Sequence, residues 1–570
     1  MGERHARPIY LIVNRNEIRG DTTRKLTEAE KAGGFRFSEM VTRGAPPEKD
    51  ALLRLIAPRM TTRQQQPDGD IPAGFTYLGQ FIDHDLTRDP SKLSGDTPTG
   101  LPTLSERSPA LDLDSVYGKG PGDPDSAHFY EADGVRLKLG TTKASGPPPV
   151  ADKDMAGFDL PRLGARAPDA LSTRQADVPD RRNDENLAVA QVHLAFMRFH
   201  NAMAASMPGA GFEAVRKATV LHYQWMVVHD FLPRIVEQSV LDDVFSNGRK
   251  VFEVGAKPSD PPTMPIEFSV AAYRLGHSMI RAFYDWNAVF NLQAAQAAPA
   301  PLRSLLTGSL ENLFRFSGTS GNLSPFASGS PFPPDPDARP SDINNPIDGD
   351  FDRLPSNWVV DFTRLFDFAR DMGDASLAPP SGGLLNMAHR VDTQMTDPLA
   401  DLPHGSFGAR GDLPADPLFF NLAFRNMLRG RQVRLATAQE VANHFQKLGA
   451  ATPMLTSDQI LGKGTGGVDL SDLSGDLLRE ATTETPLWFY ILREAEVRNG
   501  KLGPIGGRIV AETFHRVIEG SHYSILQDKG WKPKGGKHKG GFGMVDILLA
   551  AYGRDGLRPV TVPAPAPVPA

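Results

Sequence analysis

The chain of 570 residues contains no cysteine. That absence excludes disulfide bonds, thiolate metal ligands and a cysteine nucleophile. The sequence also lacks any run of about 20 apolar residues, the length that a membrane-spanning helix needs. Residues 1–13 contain only a short apolar stretch, without the longer apolar region of a signal peptide. We therefore expect a protein without a transmembrane segment that is cytoplasmic, or exported without a recognisable signal peptide.

The sequence has no large excess of charge of either sign. It contains 62 Lys and Arg against 68 Asp and Glu, a formal net charge of −6. Mixed charge of this size gives no bulk attraction to a polyanion, so no nucleic-acid partner is expected. Residues 528–543 are basic and rich in glycine, and they are typical of a surface loop.

Residues 79–87 combine two carboxylates, an imidazole and an amide within an otherwise apolar run. If the stretch is helical, Gln80 lies one turn before His84 and on the same face. Asp83 and Asp85 then lie about 100° to either side of His84. That face can offer an imidazole and an amide to a small polar reactant. The alternative is a core helix with a solvated charged edge, although burying Asp-His-Asp without partners is costly.

A second polar cluster lies in residues 108–118, where Asp112 and Asp114 alternate in a short loop. Carboxylate, hydroxyl and carbonyl oxygens are the ligands that calcium prefers, at about 2.3–2.6 Å. A surface Asp-x-Asp pair is more often only solvated, so this loop alone is a weak signal for a cation site.

Residues 183–207 are predicted to form one long helix, because apolar residues recur at helical spacing and the run ends before a Pro-Gly pair. Arg182 and Glu185 stand at its start. A glutamate there has an ordinary explanation, since it interacts favourably with the helix dipole. Residues 212–239 are predicted to form a second long helix, buried in the core.

Residues 268–286 also show a helical period, with His277 among the apolar positions. Gly276 removes bulk beside His277, and Arg274 lies one turn earlier. A buried histidine next to a glycine suits the close approach of a flat ligand. An ordinary core histidine with a backbone partner fits the same pattern.

Together, the motifs resemble those of the haem peroxidases of the animal type, the peroxidase–cyclooxygenase superfamily, over roughly residues 70–527. No single motif would suffice, and the resemblance rests on their order and spacing. The matching segments are 79–87, 112–118, 180–185 with His193 and 198–201 downstream, 271–278, 426–431 and 502–504.

The resemblance implies a haem b cofactor with His277 as the iron ligand. Asn426 corresponds to the residue that accepts a hydrogen bond from the other ring nitrogen. His84 corresponds to the distal histidine, which moves a proton between the peroxide oxygens. Arg182 corresponds to the arginine that stabilises charge on the departing oxygen, and Gln80 to the residue that holds water or a halide above the iron.

Further residues match positions at the edge of the family's haem. Arg429 is expected to pair with a propionate, and Arg274 is expected at the cofactor as well. Asp83 and Glu185 match the residues that esterify haem methyl groups in mammalian members, so this chain has the side chains for ester links. Asn186 stands where sulfonium-forming members have methionine, so no sulfonium bond is expected.

The resemblance also implies a calcium site. Its implied ligands are Asp85, Ser108, the carbonyl of Ala110, Asp112 and Asp114. On this interpretation, one carboxylate beside His84 serves the haem edge and the other serves a cation behind the helix.

The implied activity is the reduction of hydrogen peroxide with oxidation of a small organic donor or a halide, as in a response to oxidative stress. The rival within the superfamily is a fatty-acid dioxygenase, which needs a tyrosine three residues before the iron ligand. Arg274 holds that position here. Tyr273 is adjacent but, on an α-helix, points about 100° away.

Two other functions remain open. An HD-type metal-dependent phosphohydrolase would use His84 and Asp85, but it needs an earlier histidine ligand and only His5 precedes them. A non-catalytic haem protein or scaffold would not need His84, Gln80 and Arg182 together.

The fold expected from the resemblance is mainly α, with helices around a buried haem, long loops and little strand. We expect an N-terminal arm over residues 1–70, a catalytic domain over 71–527 and a C-terminal region over 528–570. The catalytic domain carries a loop insertion at 317–356 that is rich in Pro, Gly and Ser. The C-terminal region comprises the basic loop, a helix and a disordered Pro/Ala tail. The lack of cysteine separates the chain from the disulfide-bonded mammalian members and indicates a bacterial-type branch. The oligomeric state is not predicted.

Overall fold

The structure of the protein is a computed structural model. It describes residues 12–14, 17–19, 24–25, 37–42, 50–61, 67–88, 107–145, 152–168, 173–297, 307–319, 352–380, 383–402 and 416–560. Most of the insertion expected at 317–356 and the end of the C-terminal tail lie outside the described residues. Among the residues described, no helix combines the length and apolarity needed to cross a membrane.

The fold is mainly helical, with 49% helix and 7% strand, and the predicted fold class is confirmed. The α-helices are Ala51–Met60, Gly74–Leu86, Asp114–Tyr117, Leu187–Ser206, Phe212–Met226, Leu232–Ile235, Gln238–Asn247, Leu292–Ala297, Leu310–Arg315, Phe368–Met372, Leu422–Gln432, Ala438–Lys447, Ser457–Leu461, Gly475–Thr483, Leu487–Glu496, Gly506–Glu519 and Met544–Gly556. Single turns of 3₁₀-helix and two π-helical segments join several of them. These are Ala127–Phe129, Gly164–Arg166, Arg181–Asp184, Val227–Phe231, Glu267–Ala271, Ala272–Met279, Ser356–Trp358, Phe362–Arg364, Ala375–Leu377, Asp397–Ala400 and Pro417–Phe420.

The strands are short, and several of them are buried, among them Phe37–Ser38 and Met264–Pro265. One sheet has the order Arg24–Lys25, Glu17–Arg19, Ile12–Asn14, Phe37–Ser38, Met264–Pro265, with its last two pairings parallel. Three antiparallel pairs are Asp68–Pro72 with Met387–His389, Gly140–Thr141 with Ala156–Asp159, and Phe283–Tyr284 with Gly308–Ser309.

The helix Gly74–Leu86, here called the His84 helix, lies in the centre of the core and packs against the long helix Leu187–Ser206. Phe81 stacks on Phe196 with ring centroids 4.5 Å apart. Gly74 allows the helix to start against the Phe366 ring, which a Cβ at this position would overlap. The helix therefore holds residues 80–85 at fixed positions inside the protein.

The long helix begins later than the sequence pattern predicts. Residues 181–184 form a separate 3₁₀ turn, and the α-helix starts at Leu187. Two side chains set this division. Asp180 caps the turn by accepting from the Arg182 amide, and Asn186 caps the α-helix by accepting from the Val189 amide.

The helix predicted over 212–239 is also divided. An α-helix over Phe212–Met226 passes through the π-helical segment Val227–Phe231 and ends after Leu232–Ile235. Pro233 has no N–H to give to the carbonyl of His229, so regular α-helical bonding cannot continue there. Likewise, the helical signal at 477–499 is two helices, Gly475–Thr483 and Leu487–Glu496, which lie on either side of Pro486. The helix predicted over 417–434 is a 3₁₀ turn followed by Leu422–Gln432.

Residues 268–286 do not form the single α-helix that their period predicts. The π-helical turn Glu267–Ala271 is followed by 3₁₀-helix over Ala272–Met279, and the chain then extends into the strand Phe283–Tyr284. Arg274 donates from Nε to the carbonyl of Ser269, the group that Tyr273 N–H would meet in an α-helix. We call Glu267–Met279 the His277 segment, and it packs against the His84 helix.

Candidate active site

A single cavity lies between the His84 helix and the His277 segment. Its volume is about 780 Å³, including space that is open to solvent, and its wall is mainly apolar. His84 and His277 both line it, so two imidazoles that are far apart in sequence face one space. Its lining residues are Phe75, Thr76, Tyr77, Gly79, Gln80, Asp83, His84, Asn186, Phe231, Ile235, Tyr273, Arg274, Leu275, Gly276, His277, Met279, Ile280, Leu310 and Phe314.

His277 is supported from behind by the helix Leu422–Gln432. The side-chain nitrogen Nδ2 of Asn426 lies 2.7 Å from His277 Nδ1. If the amide is turned over so that Oδ1 faces the ring, Nδ1–H donates to Asn426 and Nε2 is the ring nitrogen without a proton. Burial, with the nearby Arg274 and Arg425, lowers the pKa of His277 to about 3. The ring is therefore neutral at physiological pH, as a metal ligand must be.

His84 is buried, and its Nδ1 lies 2.9 Å from the side-chain oxygen of Asn183. Burial and the adjacent Arg182 guanidinium lower the pKa of His84 to about 3. The ring is thus a neutral proton acceptor under ordinary conditions.

Arg182 lies next to His84 but does not line the cavity. Its guanidinium binds the carboxylate of Asp180 at 2.7 Å and donates to the carbonyl oxygen of His84 at 3.0 Å. Asp180 also accepts from Arg107 at 2.7 Å. Burial opposes the charge on Asp180, but the two arginines hold the pKa of its carboxyl well below the usual value. The result is a buried ion network behind His84.

Two further predicted residues face the cavity from the His84 helix. Gln80 accepts a hydrogen bond from the Asn186 amide at 3.0 Å, and Asp83 accepts one from the Thr87 hydroxyl at 3.0 Å. Gln80 and His84 line the same cavity, as the helical spacing predicts.

The other residues predicted at the cofactor divide into two groups. Arg274 lines the cavity, on the same side as His277. Glu185 is buried and Arg429 half-buried, and neither lines the cavity.

The predicted calcium residues are brought together by the fold. Asp85, Asp112 and Asp114 are all buried. Asp85 accepts from the amides of Leu113 and Ser115, at 3.1 and 3.3 Å. Burial and the two neighbouring carboxylates raise the pKa of Asp85 well above its usual value. Ser108 and Ala110 are also buried beside this loop, with the Ser108 amide 3.2 Å from Asp114.

Two tyrosines of the cavity were not among the predicted site residues. Tyr77 donates its hydroxyl proton to Tyr284 at 2.9 Å. Tyr273 lines the cavity, so the expectation that it points away from the site is wrong. The cavity wall includes both neighbours, Tyr273 and Arg274, although adjacent side chains diverge by about 120° on this 3₁₀-helix. Tyr273 was flagged by its position beside Arg274, whereas Tyr77 carried no signal in the sequence.

The chain is similar to known haem peroxidases. The sequence model of the family described as animal haem peroxidase matches residues 99–315. Thyroid peroxidase of Rattus norvegicus is 26% identical over 227 residues, which cover 36% of this chain and 23% of that protein. Chorion peroxidase of Aedes aegypti is 28% identical over 289 residues, covering 40% of this chain and 36% of that protein. The alignments thus span less than two fifths of these relatives.

Solved structures show the same fold at low sequence identity. Peroxidase A of Dictyostelium discoideum superposes with a TM-score of 0.52 at 14% identity, covering 92% of this chain and 94% of the other. A fatty acid alpha-dioxygenase of Arabidopsis thaliana gives 0.50 at 13% identity, covering 92% and 80%. The solved structures share the fold of this chain, and the model of the animal haem peroxidase family matches its residues 99–315, so the predicted resemblance is confirmed.

The family implies a haem cofactor, and the cavity fits one. Gly276, beside His277, borders open space, since a Cβ there would meet nothing within 4 Å. The mainly apolar wall suits a flat macrocycle, and the imidazole backed by an amide suits iron. Arg274 supplies a cation at the cavity wall for a propionate.

Proposed function

We propose that this chain is a haem-dependent peroxidase that reduces hydrogen peroxide and oxidises a small organic donor or a halide. One observation carries the proposal. A neutral, amide-backed imidazole and a neutral, buried imidazole face the same cavity, and they are the ones that the motifs assign to iron binding and to proton transfer.

Each protein group has a role that its surroundings support. Haem, when bound, supplies the redox centre of the reaction. His277 would hold it through Nε2, with Nδ1–H directed to Asn426. His84 would accept the proton of a bound peroxide on Nε2 and return it to the other oxygen, so that water leaves. Gln80 lines the same cavity and would hold the water or halide.

Arg182 would act from beside the cavity. Its guanidinium is fixed on Asp180 and on the backbone of His84, close enough to depress the pKa of that ring. A positive charge at this distance favours negative charge that develops on the departing oxygen.

A second function is kept because of one observation. The Tyr273 hydroxyl is buried and has no hydrogen-bond partner in the described part of the chain, and the residue lines the cavity. A phenol at that position is a candidate oxidant for an apolar substrate, as a fatty-acid dioxygenase requires.

The two functions are separated by measuring peroxide turnover with iodide, bromide, a phenol and a fatty acid side by side. A peroxidase consumes peroxide with the first three donors, and a Tyr273→Phe variant retains that activity. Oxygen uptake with the fatty acid alone, abolished in Tyr273→Phe, would replace the proposal with the second function.

We further propose that Asp85, Ser108, Ala110, Asp112 and Asp114 hold a calcium ion. Three buried carboxylates in one loop region repel one another, and a hard divalent cation would relieve that repulsion. Ester linkage to haem is proposed for Asp83, whose carboxyl lies at the cavity wall, and for Glu185, which lies further back.

A further inference from the structure

Asn183 makes a contact with His84 that the motifs assign no role. It is fully buried in the turn Arg181–Asp184, 99 residues along the chain from His84. Its Oδ1 lies 2.9 Å from His84 Nδ1.

This contact fixes which ring nitrogen carries the proton. A neutral imidazole has one N–H donor and one bare nitrogen, and a carbonyl oxygen can only accept. The hydrogen on His84 therefore sits on Nδ1 and points at Asn183. The bare Nε2 has no hydrogen-bond partner in the described part of the chain, and the ring lines the cavity.

Both ends of the contact are braced. The backbone N–H of Asn183 donates to the backbone carbonyl of Asp180. The side chain of Asp180 is in turn bound by Arg107 and Arg182. On the other side, Arg182 holds the backbone carbonyl of His84 at 3.0 Å. The backbone of each partner is therefore held by a hydrogen bond, to the Asp180 carbonyl for Asn183 and from the Arg182 guanidinium for His84, so the pair is preorganised.

We infer that Asn183 is a positioning residue, which holds His84 in the tautomer with Nε2 bare towards the cavity. The inference rests on the proposed peroxidase function for its consequence, since only a bare Nε2 can take the proton of an incoming acid. The contact itself does not depend on haem.

The first test uses the haem-free protein with ¹⁵N-labelled histidine. The two ring nitrogens of His84, assigned by comparison with His84→Gln, are expected to show a protonated Nδ1 and a bare Nε2. A protonated Nε2 would overturn the inference, whether or not the chain is a peroxidase. This readout needs no variant at position 183.

The second test compares Asn183→Leu, which removes the acceptor, with Asn183→Asp, which keeps it. With haem bound, hydrogen cyanide must give its proton to the distal base as it binds iron. We expect cyanide association to slow about 10²-fold in Asn183→Leu and to stay close to wild type in Asn183→Asp. If Nδ2 rather than Oδ1 faced His84, the wild-type ring would carry its proton on Nε2, Asn183→Asp would speed cyanide association above the wild-type rate, and the inference would fail.

Asn201→Leu is the matched control, because Asn201 is bonded through both amide atoms to Leu137, away from the cavity. It should leave cyanide association unchanged. In Asn183→Leu the peroxide step should slow while the later oxidation of donor does not. Equal slowing of both steps, or an unchanged cyanide rate with an intact Soret band, would overturn the inference. A wild type that binds cyanide but ignores peroxide would instead refute the proposed function.

Discussion

At the scale of single residues, the proposed haem site predicts that Asn426 governs how firmly His277 binds iron. Asn426→Leu removes the amide 2.7 Å from Nδ1, so the ring loses its orientation and its fixed proton. Loss of such a supporting partner typically weakens metal binding 10–100-fold, or about 1.4–2.7 kcal/mol. Titration of the haem-free protein with haemin, followed by absorbance, should show this loss. Asn201→Leu should bind haemin like wild type, and equal affinity of the two variants would contradict the assignment.

Asp83 gives a prediction about covalent attachment. Its carboxyl lies at the cavity wall, whereas Glu185 does not line the cavity. After turnover with peroxide, we expect part of the haem to resist extraction by acidic solvent, and Asp83→Asn to increase the extractable fraction more than Glu185→Gln. Mass spectrometry of haem-bearing peptides measures both. Complete extraction from the wild type after turnover would rule out ester bonds.

Site residues could be predicted where a short sequence pattern or motif contains them. His84, Gln80 and Asp83 follow from one helix, and His277 with Asn426 follows from the resemblance. Asn183 stood inside a recognised motif, but its partner is 99 residues away, and Tyr77 meets Tyr284 across 207 residues. Side-chain pairs of that separation are set by packing of whole elements, which a single sequence does not display.

At the scale of elements, helix existence was predictable and helix type was not. Apolar residues three positions apart lie on a similar face of an α-helix and of a 3₁₀-helix, so such pairs do not separate the two types over Ala272–Met279. In the structure the Arg274 side chain donates to the Ser269 carbonyl, the acceptor that an α-helix would use for a backbone bond. The apolar pattern does not reveal this side-chain hydrogen bond. Pro233 and Pro486 each mark a break in helical structure, but the prediction followed the apolar period and continued the helix through both.

The loop with Asp112 and Asp114 gives a prediction for metal removal. If calcium binds here, a chelator should lower the melting temperature, and calcium at a hundredfold excess over its Kd should add about 2.7 kcal/mol of stability. Thermal unfolding with and without calcium measures this effect. Asp114→Asn should abolish the response, whereas Asp133→Asn, in an exposed turn, should keep it. An unaltered melting temperature in chelator would contradict a calcium site.

At the scale of the whole molecule, the fold class followed from the order of the motifs along the chain. No single motif showed that two segments distant in sequence would line one cavity. It depends on packing between the His84 helix, the helix Leu187–Ser206 and the His277 segment, which only the folded chain brings together.

Burial of neutral histidines predicts the pH dependence of stability of the haem-free protein. Burial lowers the pKa of six histidines to about 3 or 4: His84, His193, His200, His277, His389 and His515. Between pH 6.5 and about 4, the unfolded chain binds protons that the folded chain refuses, so the free energy of unfolding falls as pH falls. Carboxyls whose pKa is raised by burial act in the opposite sense, among them Glu267 and Glu494 with a pKa of about 7. The contribution of a histidine is therefore measured by comparing a histidine variant with the wild type.

Urea unfolding at pH 7 and pH 5 measures this slope, to which each histidine can contribute up to about 1.4 kcal/mol per pH unit. His193, whose ring nitrogens both lack partners among the described residues, offers the simplest variant. His193→Leu should reduce the loss of stability between the two pH values. A variant with the full wild-type slope would show that this burial is not maintained in solution.

The central claim is that His277 binds haem iron while His84 serves peroxide in the same cavity. Rapid mixing of the haem-loaded protein with hydrogen peroxide, followed at the Soret band, tests it most directly. The wild type should form a Soret band that peroxide shifts. His84→Leu should keep the band but respond at least about 10²-fold more slowly, and His277→Leu should lose it. A wild-type Soret band that peroxide leaves unmoved, or a response equally fast without His84, would contradict the account.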